Sequence, residues 1–324
     1  MIAFVTGGSG FVGRALIEAL RGKGDEVRAL VRSDKATETV VALGAAPVRG
    51  DLDDVAAMID GMRGCDAVFH SAAHVKDWGA AEEFHRVNVQ GTQNVIDAAR
   101  SAPVPRLVHI GTEAALIGGA PIINADETRA FPARPIGLYP LTKGLAETRV
   151  RAANGEGLAT VVVRPRFIWG KGDTSVLSNM VQAVKDGRFM WIGGGNYKTS
   201  TCHVRNVCEG ALLAAEKGRG GEAYFLTDGE PVMFREFITK MLKTQGIYPG
   251  TKTMPRGVVY AMASVCELLW RALPLKGAPP INRFVVRVIG SEVTVNDAKA
   301  RRELGYVGRV SIEEGLQEMR EGVA

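Results

Sequence analysis

The stretch TGGSGFVG, residues 6–13, decides the fold. It follows the apolar run Ile2–Thr6 and precedes a helix-length amphipathic segment. Gly7, Gly10 and Gly13 allow a tight turn, a close approach of the backbone to a ligand, and close packing of helix against strand. The helix N-terminus adds N–H donors and the positive end of the helix dipole. The sequence therefore predicts a strand, loop and helix that bind the pyrophosphate of a dinucleotide. The alternative is a glycine-rich turn that binds no ligand.

Short apolar runs alternate with helix-length segments through residues 1–165. Such alternation predicts a parallel sheet with helices on both faces, whose ligands bind at the carboxyl ends of the strands. We therefore expect an α/β fold with a Rossmann-type doubly wound sheet and a dinucleotide-binding domain over residues 1–165. The predicted strands are Ile2–Thr6, Glu26–Val31, Ala46–Gly50, Ala67–His70, Arg106–Ile110 and Ala159–Arg164.

The pattern is less regular over residues 166–324. We interpret this half as a smaller C-terminal α/β lobe that binds the substrate and is partly interleaved with the sheet. It carries one predicted strand, Ala223–Thr227. The predicted helices are Val204–Glu216, Phe234–Gln245, Val258–Ala272, Asn296–Leu304 and Ser311–Arg320.

The composition is that of a globular protein. Of 324 residues, 46% are hydrophobic and 23% are charged, which disfavours disordered and fibrous classes. The net charge of +5 comes from dispersed Lys and Arg, so it suits an anionic cofactor and gives little support to nucleic-acid binding. The four cysteines show no C-x-x-C spacing. We therefore expect no metal site, reduced thiols and a cytoplasmic location, with no secretion signal at the N-terminus.

The longest apolar stretch extends from Val258 to Leu275 and is interrupted by Glu267, Arg271 and Pro274. It falls short of the roughly 20 apolar residues that a spanning helix needs. We predict a buried helix here and no membrane-spanning segment, with contact at a membrane surface as the alternative. The sequence is also compatible with a homodimer.

Tyr139 and Lys143 carry the strongest chemical signal after the glycine loop. Four residues apart on one helix face, the phenol and the ammonium can approach each other. A neighbouring cation favours the phenolate and lowers the tyrosine pKa, so that Tyr139 can exchange a proton with a substrate oxygen. Alone, Y-x-x-x-K is common on helices without function. After a glycine loop in a β-α-β chain it indicates a catalytic pair.

The G-x-x-G-x-x-G spacing resembles the extended short-chain dehydrogenase/reductases of the NAD-dependent epimerase/dehydratase superfamily. Three further segments match that family: GDL at residues 50–52, FHSAA at 69–73 and NVQGT at 88–92. Asp51 is also explained as a helix N-cap, and His70 as a core histidine to which we assign no chemistry. The resemblance implies cofactor contacts from Gly7, Ser9, Gly10, Phe11, Val12, Gly13, Arg32, Ser33, Asp51, Leu52, Ser71, Ala72, Ala73, Asn88, Tyr139, Lys143, Pro165, Phe167 and Ile168.

The resemblance also implies that Lys143 holds the nicotinamide ribose and that a serine at the end of the fifth strand polarises the substrate oxygen. Thr112 occupies that position here, and its hydroxyl can donate the same hydrogen bond. Glu113 departs from the usual small residue. A carboxylate there opposes ionisation of the tyrosine unless it points away or carries a proton.

Segments after the fourth and sixth strands, VKDWG at 75–79 and RPRFIWG at 164–170, resemble the 3β-hydroxysteroid dehydrogenase branch. That branch includes sterol-carboxylate dehydrogenases and 2-alkyl-3-oxoalkanoate reductases. In sugar-nucleotide epimerases an asparagine follows the sixth strand and contacts the substrate's pyrophosphate. Phe167 stands in its place here, which disfavours a nucleotide-sugar substrate.

The second predicted strand ends without the acidic residue that would bind both ribose hydroxyls of NAD. Arg32 follows it instead, with Ser33 next to it. A guanidinium suits the 2′-phosphate of NADP. We therefore expect NADP, with NAD as the alternative and a solvated arginine as the interpretation without function.

Aromatic residues predict the substrate class. Trp78, Phe167, Trp169, Phe189 and Trp191 would line a pocket beside the Val258–Leu275 segment, unless they serve only as core. Arg166 leaves open one carboxylate on an apolar substrate. We expect hydride transfer to or from a lipophilic secondary alcohol or ketone, with two alternatives: an epimerase or dehydratase that retains its NAD, and a non-catalytic dinucleotide-binding regulator. The predicted substrate-binding residues are Trp78, Arg166, Trp169 and Trp191.

Overall fold

A computed structural model describes residues 1–155, 157–173, 176–273 and 275–321. The strands are β1 (Ile2–Thr6), β2 (Glu26–Val31), β3 (Ala46–Arg49), β4 (Ala67–His70), β5 (Arg106–Ile110), β6 (Ile122–Ala125), β7 (Ala159–Pro165), β8 (Ile168–Trp169), β9 (Trp191–Ile192), β10 (Lys198–Thr199), β11 (Cys202–His203), β12 (Ala223–Leu226), β13 (Val232–Met233), β14 (Thr253–Met254) and β15 (Val293–Val295). The α-helices are α1 (Phe11–Gly22), α2 (Asp34–Ala42), α3 (Val55–Met62), α4 (Ala81–Phe84), α5 (Gly91–Ser101), α6 (Leu138–Ala152), α7 (Val176–Lys185), α8 (Val204–Lys217), α9 (Phe234–Lys243), α10 (Arg256–Ala272), α11 (Arg283–Ile289), α12 (Ala298–Leu304) and α13 (Ile312–Glu321).

A seven-stranded sheet forms the centre of the molecule, in the order β3-β2-β1-β4-β5-β7-β12. All neighbouring strands in it are parallel. Successive side chains of a strand point to opposite faces, and β1 shows the result: Ala3 and Val5 belong to one hydrophobic core while Phe4 belongs to the other. Helices cover both faces, so the predicted Rossmann-type α/β fold is confirmed.

The two halves of the chain exchange strands. From the second half, β12 pairs with β7 at the edge of the main sheet, and α8 packs on the same layer as α1. From the first half, β6 joins a smaller sheet of order β13-β10-β15-β6. The predicted interleaving of the C-terminal lobe with the sheet is thus present, and the division after residue 165 remains a prediction.

The predicted burial of the apolar segment after residue 257 is wrong. It forms α10 as expected, but this helix buries only three side chains, Val259, Ala263 and Glu267. The buried side is narrow because α10 lies at the periphery and packs mainly on α11. Within the described residues, no helix is both long and apolar enough to cross a bilayer. The apolar side chains left 42% to 66% exposed are Val258, Met262, Val265, Leu268, Leu269, Leu273 and Leu275.

Close packing explains the glycines of the loop between β1 and α1. Gly7 has a φ of +72°, and a Cβ there would lie 2.7 Å from the Ala72 nitrogen. A Cβ on Gly13 would lie only 2.0 Å from the Gly7 carbonyl oxygen. The Gly10 N–H donates to that same oxygen at 2.9 Å. The loop therefore requires glycine at 7 and 13 for its backbone to close.

Replacing Gly13 by alanine is expected to force the loop away from α1. Overpacking of this kind costs about 1–3 kcal/mol of unfolding free energy. The control is Gly22→Ala at the other end of α1, where a Cβ meets no atom within 4 Å and alanine is the better helix former by about 0.5–1 kcal/mol. Chemical denaturation measures both. Equal stability of Gly13→Ala and the wild type would contradict this packing account.

Candidate active site

The glycine loop and the segment after β4 meet at the carboxyl ends of the central strands. Gly10 caps α1 without any side-chain hydrogen bond. The first N–H groups of a helix lack partners within the helix, so those of the first turn, from Phe11 onward, are available to an anion. Ser9, Phe11 and Val12 surround this end of α1, and Ser71, Ala72 and Ala73 face it from β4. The small residues and free N–H groups fit a dinucleotide pyrophosphate.

His70 joins the strands beneath this cradle. Its Nδ1 lies 2.7 Å from the Thr6 hydroxyl and its Nε2 lies 3.0 Å from the Thr92 hydroxyl. Burial lowers the pKa of His70 to about 3, with the Lys143 charge as a smaller cause. His70 is therefore a neutral core histidine with both nitrogens paired, as the interpretation without chemistry predicts.

Asn88 holds the backbone of the cradle. Its Oδ1 accepts from the His74 N–H at 2.6 Å, and its Nδ2 donates to the His74 carbonyl at 3.1 Å and to the Thr142 hydroxyl at 3.0 Å. The amide is thus used within the protein, between the β4 loop and α6. Asn88 lies on a turn of π-helix, His85–Gln90, a local irregularity that is common at functional sites.

Asp51 and Leu52 lie beside this region, at the end of β3. The N-cap interpretation of Asp51 is wrong, because Asp54 caps α3 by accepting from the Ala57 N–H at 3.0 Å. Asp51 is exposed and accepts only from the Asp53 N–H, at 2.8 Å. Its other oxygen is left for a ligand at the surface.

Arg32 and Ser33 follow β2 at the same edge of the sheet. Arg32 is exposed, and it has no hydrogen bond or ion pair within the described part of the chain. The Ser33 hydroxyl caps α2 by accepting from the Ala36 N–H at 3.3 Å, which leaves its hydrogen free to donate. A free guanidinium beside a hydroxyl is the arrangement expected for a phosphate ligand.

Tyr139 and Lys143 lie on the first turns of α6. Lys143 is 3% exposed, and its ammonium donates to the Ile110 carbonyl at 2.8 Å and lies 3.2 Å from His109 Nε2. Burial lowers the pKa of Lys143 to about 8, while Glu147 opposes this change. The lysine is therefore held against β5, beside the sheet's carboxyl edge.

The tyrosine has the opposite perturbation from the one that the sequence predicts. Burial raises the pKa of Tyr139, the Glu113 carboxylate raises it further, and a side-chain hydrogen bond with Thr112 lowers it. The lysine is not among the causes. In the protein alone the phenol is thus held protonated, as a proton donor to a substrate oxygen requires.

Thr112, Glu113 and Arg166 form a buried cluster next to the phenol. The Thr112 hydroxyl donates to Glu113 Oε2 at 3.0 Å and accepts from the Ala114 N–H at 3.1 Å. Arg166 Nη1 donates to Glu113 Oε1 at 2.7 Å. Glu113 therefore does not point away from the phenol. The Arg166 guanidinium balances its charge.

Arg166 has no free face for the substrate carboxylate that the sequence leaves open. Its guanidinium is buried, and Nη2 donates to the Val288 carbonyl at 2.9 Å and to the Thr199 hydroxyl at 3.3 Å. These bonds tie the end of β7 to β10 and α11. We therefore assign Arg166 to the support of Glu113.

A second buried ion pair, missed from the sequence, fixes α6 on the sheet. Arg164 Nε donates to both oxygens of Glu147, at 3.0 and 2.9 Å, and both side chains are about 1% exposed. Glu147 follows Lys143 by four residues and shares its helix face. The only sequence signal was this continued spacing of Y-x-x-x-K-x-x-x-E.

Two predicted pocket residues lie in the core. Trp169 is fully buried and donates to Asp228 Oδ2 at 2.7 Å. Trp191 is 2% exposed and donates to the Gly250 carbonyl at 2.8 Å. Both belong to the cluster around α7 and α9, as does Phe167, whose φ of +44° is unusual for a residue other than glycine. We therefore leave the two tryptophans out of the pocket.

Trp78 is the predicted substrate residue that remains at the mouth of the site. It is partly exposed, and the Arg271 guanidinium lies 5.7 Å from its ring centre. Nearby, Asn282 Nδ2 donates to Asp77 Oδ2 at 2.9 Å. The Phe284 ring lies 6.0 Å from that of Tyr139. Phe284 thus brings aromatic surface near the Tyr139 phenol.

Comparison with known proteins finds relatives that match nearly the whole chain. The chain is 52% identical to a 4-hydroxy-2-methyl-3-oxo-4-farnesyl-3,4-dihydroquinoline-1-oxide ketoreductase of Stigmatella aurantiaca, over 99% of this chain and 96% of the relative. It is 37% identical to a 2-alkyl-3-oxoalkanoate reductase of Stenotrophomonas maltophilia (strain K279a), over 99% and 98% of the two chains. The solved structure of MoeE5 in complex with UDP-glucose and NAD superposes with a TM-score of 0.74 at 25% identity, covering 99% of this chain and 98% of that one.

The family model described as the 3-beta hydroxysteroid dehydrogenase/isomerase family matches residues 4–256. This match covers the glycine loop, the Tyr139–Lys143 pair and both buried ion pairs. The resemblance expected from the motifs is confirmed. The chain is therefore an NAD(P)-dependent oxidoreductase that belongs to the 3-beta hydroxysteroid dehydrogenase/isomerase family.

Proposed function

We propose that this protein is a ketoreductase that interconverts a lipophilic ketone and its secondary alcohol, with NADP as cofactor. The observation that carries the proposal is the half-buried Tyr139 phenol, one helix turn from Lys143 and with the Phe284 ring 6.0 Å from its own. The names of the relatives support a ketone on a hydrocarbon frame, of the 3-oxo acid, steroid or prenylated ring type.

The proton chemistry follows from the side chains. In the reducing direction, Tyr139 Oη donates its proton to the substrate oxygen as the carbonyl carbon is reduced. The Thr112 hydroxyl has one hydrogen to donate. During the reaction it would donate this hydrogen bond to the substrate oxygen or to the phenolate instead of to Glu113. Lys143, whose ammonium has three donors, would hold the nicotinamide ribose with the donor that Ile110 and His109 leave. NADP, when bound along the glycine loop, supplies or receives the hydride.

NADP rather than NAD is favoured by the free guanidinium of Arg32. All four cysteines are unpaired in the structure. Unpaired cysteines are typical of a reducing compartment, which supports our proposal of a cytoplasmic location.

Tyr139→Phe is expected to lower turnover by a factor of roughly 10²–10⁴, the contribution of a positioned acid–base group. Cofactor affinity should change little, because the variant loses only the hydroxyl group and keeps the aromatic ring. Tyr248→Phe is the control, since Tyr248 is 71% exposed. NADPH oxidation with a 2-alkyl-3-oxo acid measures turnover, and NADPH fluorescence measures binding. Unchanged turnover would remove Tyr139 from the mechanism.

Arg32→Gln is expected to weaken NADPH binding by about 1.5–3 kcal/mol, the value of a hydrogen bond to a charged group. NADH binding should stay nearly constant, because NADH lacks the 2′-phosphate. Arg63→Gln is the control, as Arg63 is exposed at the end of α3. Calorimetric titration with both cofactors gives the comparison. Equal losses for the two would show that Arg32 does not contact the phosphate.

Glu113→Gln is expected to lower the pKa of Tyr139, because the carboxylate that raises it is gone. Oxidation of the alcohol needs the phenolate, so its rate rises with pH through this pKa. The rising limb of kcat against pH should therefore move to lower pH in Glu113→Gln and stay in place in Glu113→Asp, which keeps the charge. Superimposable limbs for all three proteins would contradict the coupling.

A further inference from the structure

His109 is a buried polar side chain in the central sheet that takes no part in the proton chemistry above. It lies on β5, two residues after Leu107, which belongs to the hydrophobic core between the sheet and the helices α5 and α6. Side chains two residues apart on a strand share a face, so His109 points into the same layer. It is 1% exposed. Burying a ring with two polar nitrogens there is unfavourable unless the nitrogens find partners.

Only one of the two ring nitrogens has a partner. Nε2 lies 3.2 Å from Lys143 Nζ. Nδ1 is buried, and within the described part of the chain it has no hydrogen-bond partner. The neighbouring His70, with its ring centre 5.1 Å away, pairs both its nitrogens with the hydroxyls of Thr6 and Thr92. The polar contact of His109 is therefore made to the lysine.

The lysine determines the tautomer of the ring. An ammonium has three donors and no acceptor, so Nε2 has to be unprotonated and accept from it, and the ring hydrogen is on Nδ1. A doubly protonated ring is excluded, because burial and the charge of Lys143 hold the pKa of His109 well below its ordinary value, with His70 as a further cause. Burial lowers the pKa of Lys143 to about 8, against the effect of Glu147, so the ammonium form prevails at neutral pH.

Two of the three N–H bonds of Lys143 are thus used within the protein. The Ile110 carbonyl accepts at 2.8 Å and the His109 ring accepts at 3.2 Å. Because the bonds of an ammonium nitrogen are tetrahedral, two fixed acceptors also fix the direction of the third N–H. A lysine without such contacts would lose rotamer freedom when it binds a ligand, and ordering the side chain in advance makes binding tighter.

We propose that His109 is a positioning residue for the cofactor. As a neutral Nδ1–H imidazole it accepts from Lys143 and, together with the Ile110 carbonyl, directs the remaining N–H of the ammonium toward the nicotinamide ribose. An Nδ1–H that is buried without an acceptor destabilises the fold, and an apolar side chain in this layer would avoid that loss. The proposal rests on the ribose contact of Lys143 in the proposed function and on no property of the ketone.

Calorimetric titration of the full-length protein with NADPH and with NADH tests the proposal. His109→Leu should raise the Kd for both cofactors by roughly tenfold, the order expected when one preorganised hydrogen bond is lost. His109→Gln should recover most of the affinity, because its amide oxygen can accept in place of Nε2. Arg32→Gln differs from both, since it should weaken NADPH alone. The matched control is His85→Leu, at an exposed histidine, which should bind both cofactors as the wild type does.

A double-mutant cycle separates positioning from a general effect on the fold. Lys143→Met removes the ammonium, so adding His109→Leu to it should weaken cofactor binding no further. Losses that add in the double variant would overturn the proposal, because His109 would then act independently of the lysine. An unchanged Kd in His109→Leu would overturn it as well. Chemical denaturation checks that each variant is folded under the conditions of the titration.

The tautomer can be read in the wild type by ¹⁵N NMR of histidine-labelled protein, with the His109 signals assigned by their absence from His109→Gln. The expected result is a ring protonated at Nδ1 and unprotonated at Nε2, with and without NADPH. A ring protonated at Nε2 would contradict the proposal, since it could not accept from Lys143. A wild type that shows the expected cofactor binding and reduces no ketone would support the role of His109 and count against the ketoreductase function alone.

Discussion

The buried ion pair between Glu147 and Arg164 is the interaction on which the rest of the site depends. It fastens α6 to β7, and α6 carries both Tyr139 and Lys143. Phe131 and Phe225 each lie 5.3 Å from the guanidinium and keep water away. Breaking such a pair costs about 3–5 kcal/mol, because one charge remains buried without its partner. The position of the Tyr139 phenol over the sheet is therefore set from inside the core.

The electrostatics of the site depend on a second buried ion pair, between Glu113 and Arg166. Glu113 raises the pKa of Tyr139, and the buried Arg166 balances the carboxylate. Thr112 lies between the carboxylate and the phenol, so the one hydroxyl hydrogen couples the two groups. Reduction of a ketone begins from a protonated tyrosine, and this cluster holds the tyrosine in that state.

The fold could be predicted from the sequence, and the Tyr139–Lys143 pair could be proposed from it, because their signals are local. Strand period, glycine spacing and the four-residue step from Tyr139 to Lys143 all lie within short stretches. The ion pairs could not be predicted, because Arg166 and Glu113 are 53 residues apart and meet only in the folded chain. Trp169 and Trp191 were assigned to a pocket because aromatic spacing is the same in a core and in a pocket wall. The exposure of α10 was missed because an apolar run does not tell whether another layer covers it.

The most direct test of the central claim is the fate of the hydride. The protein is incubated with NADPH that carries deuterium at the transferred position of C4 and with a 2-alkyl-3-oxo acid, and the product is analysed by mass spectrometry. A ketoreductase places one deuterium on the carbinol carbon for each NADPH oxidised, and Tyr139→Phe forms this product far more slowly. An isomerised product that carries no deuterium, formed with the cofactor retained and regenerated, would contradict the account and favour an epimerase.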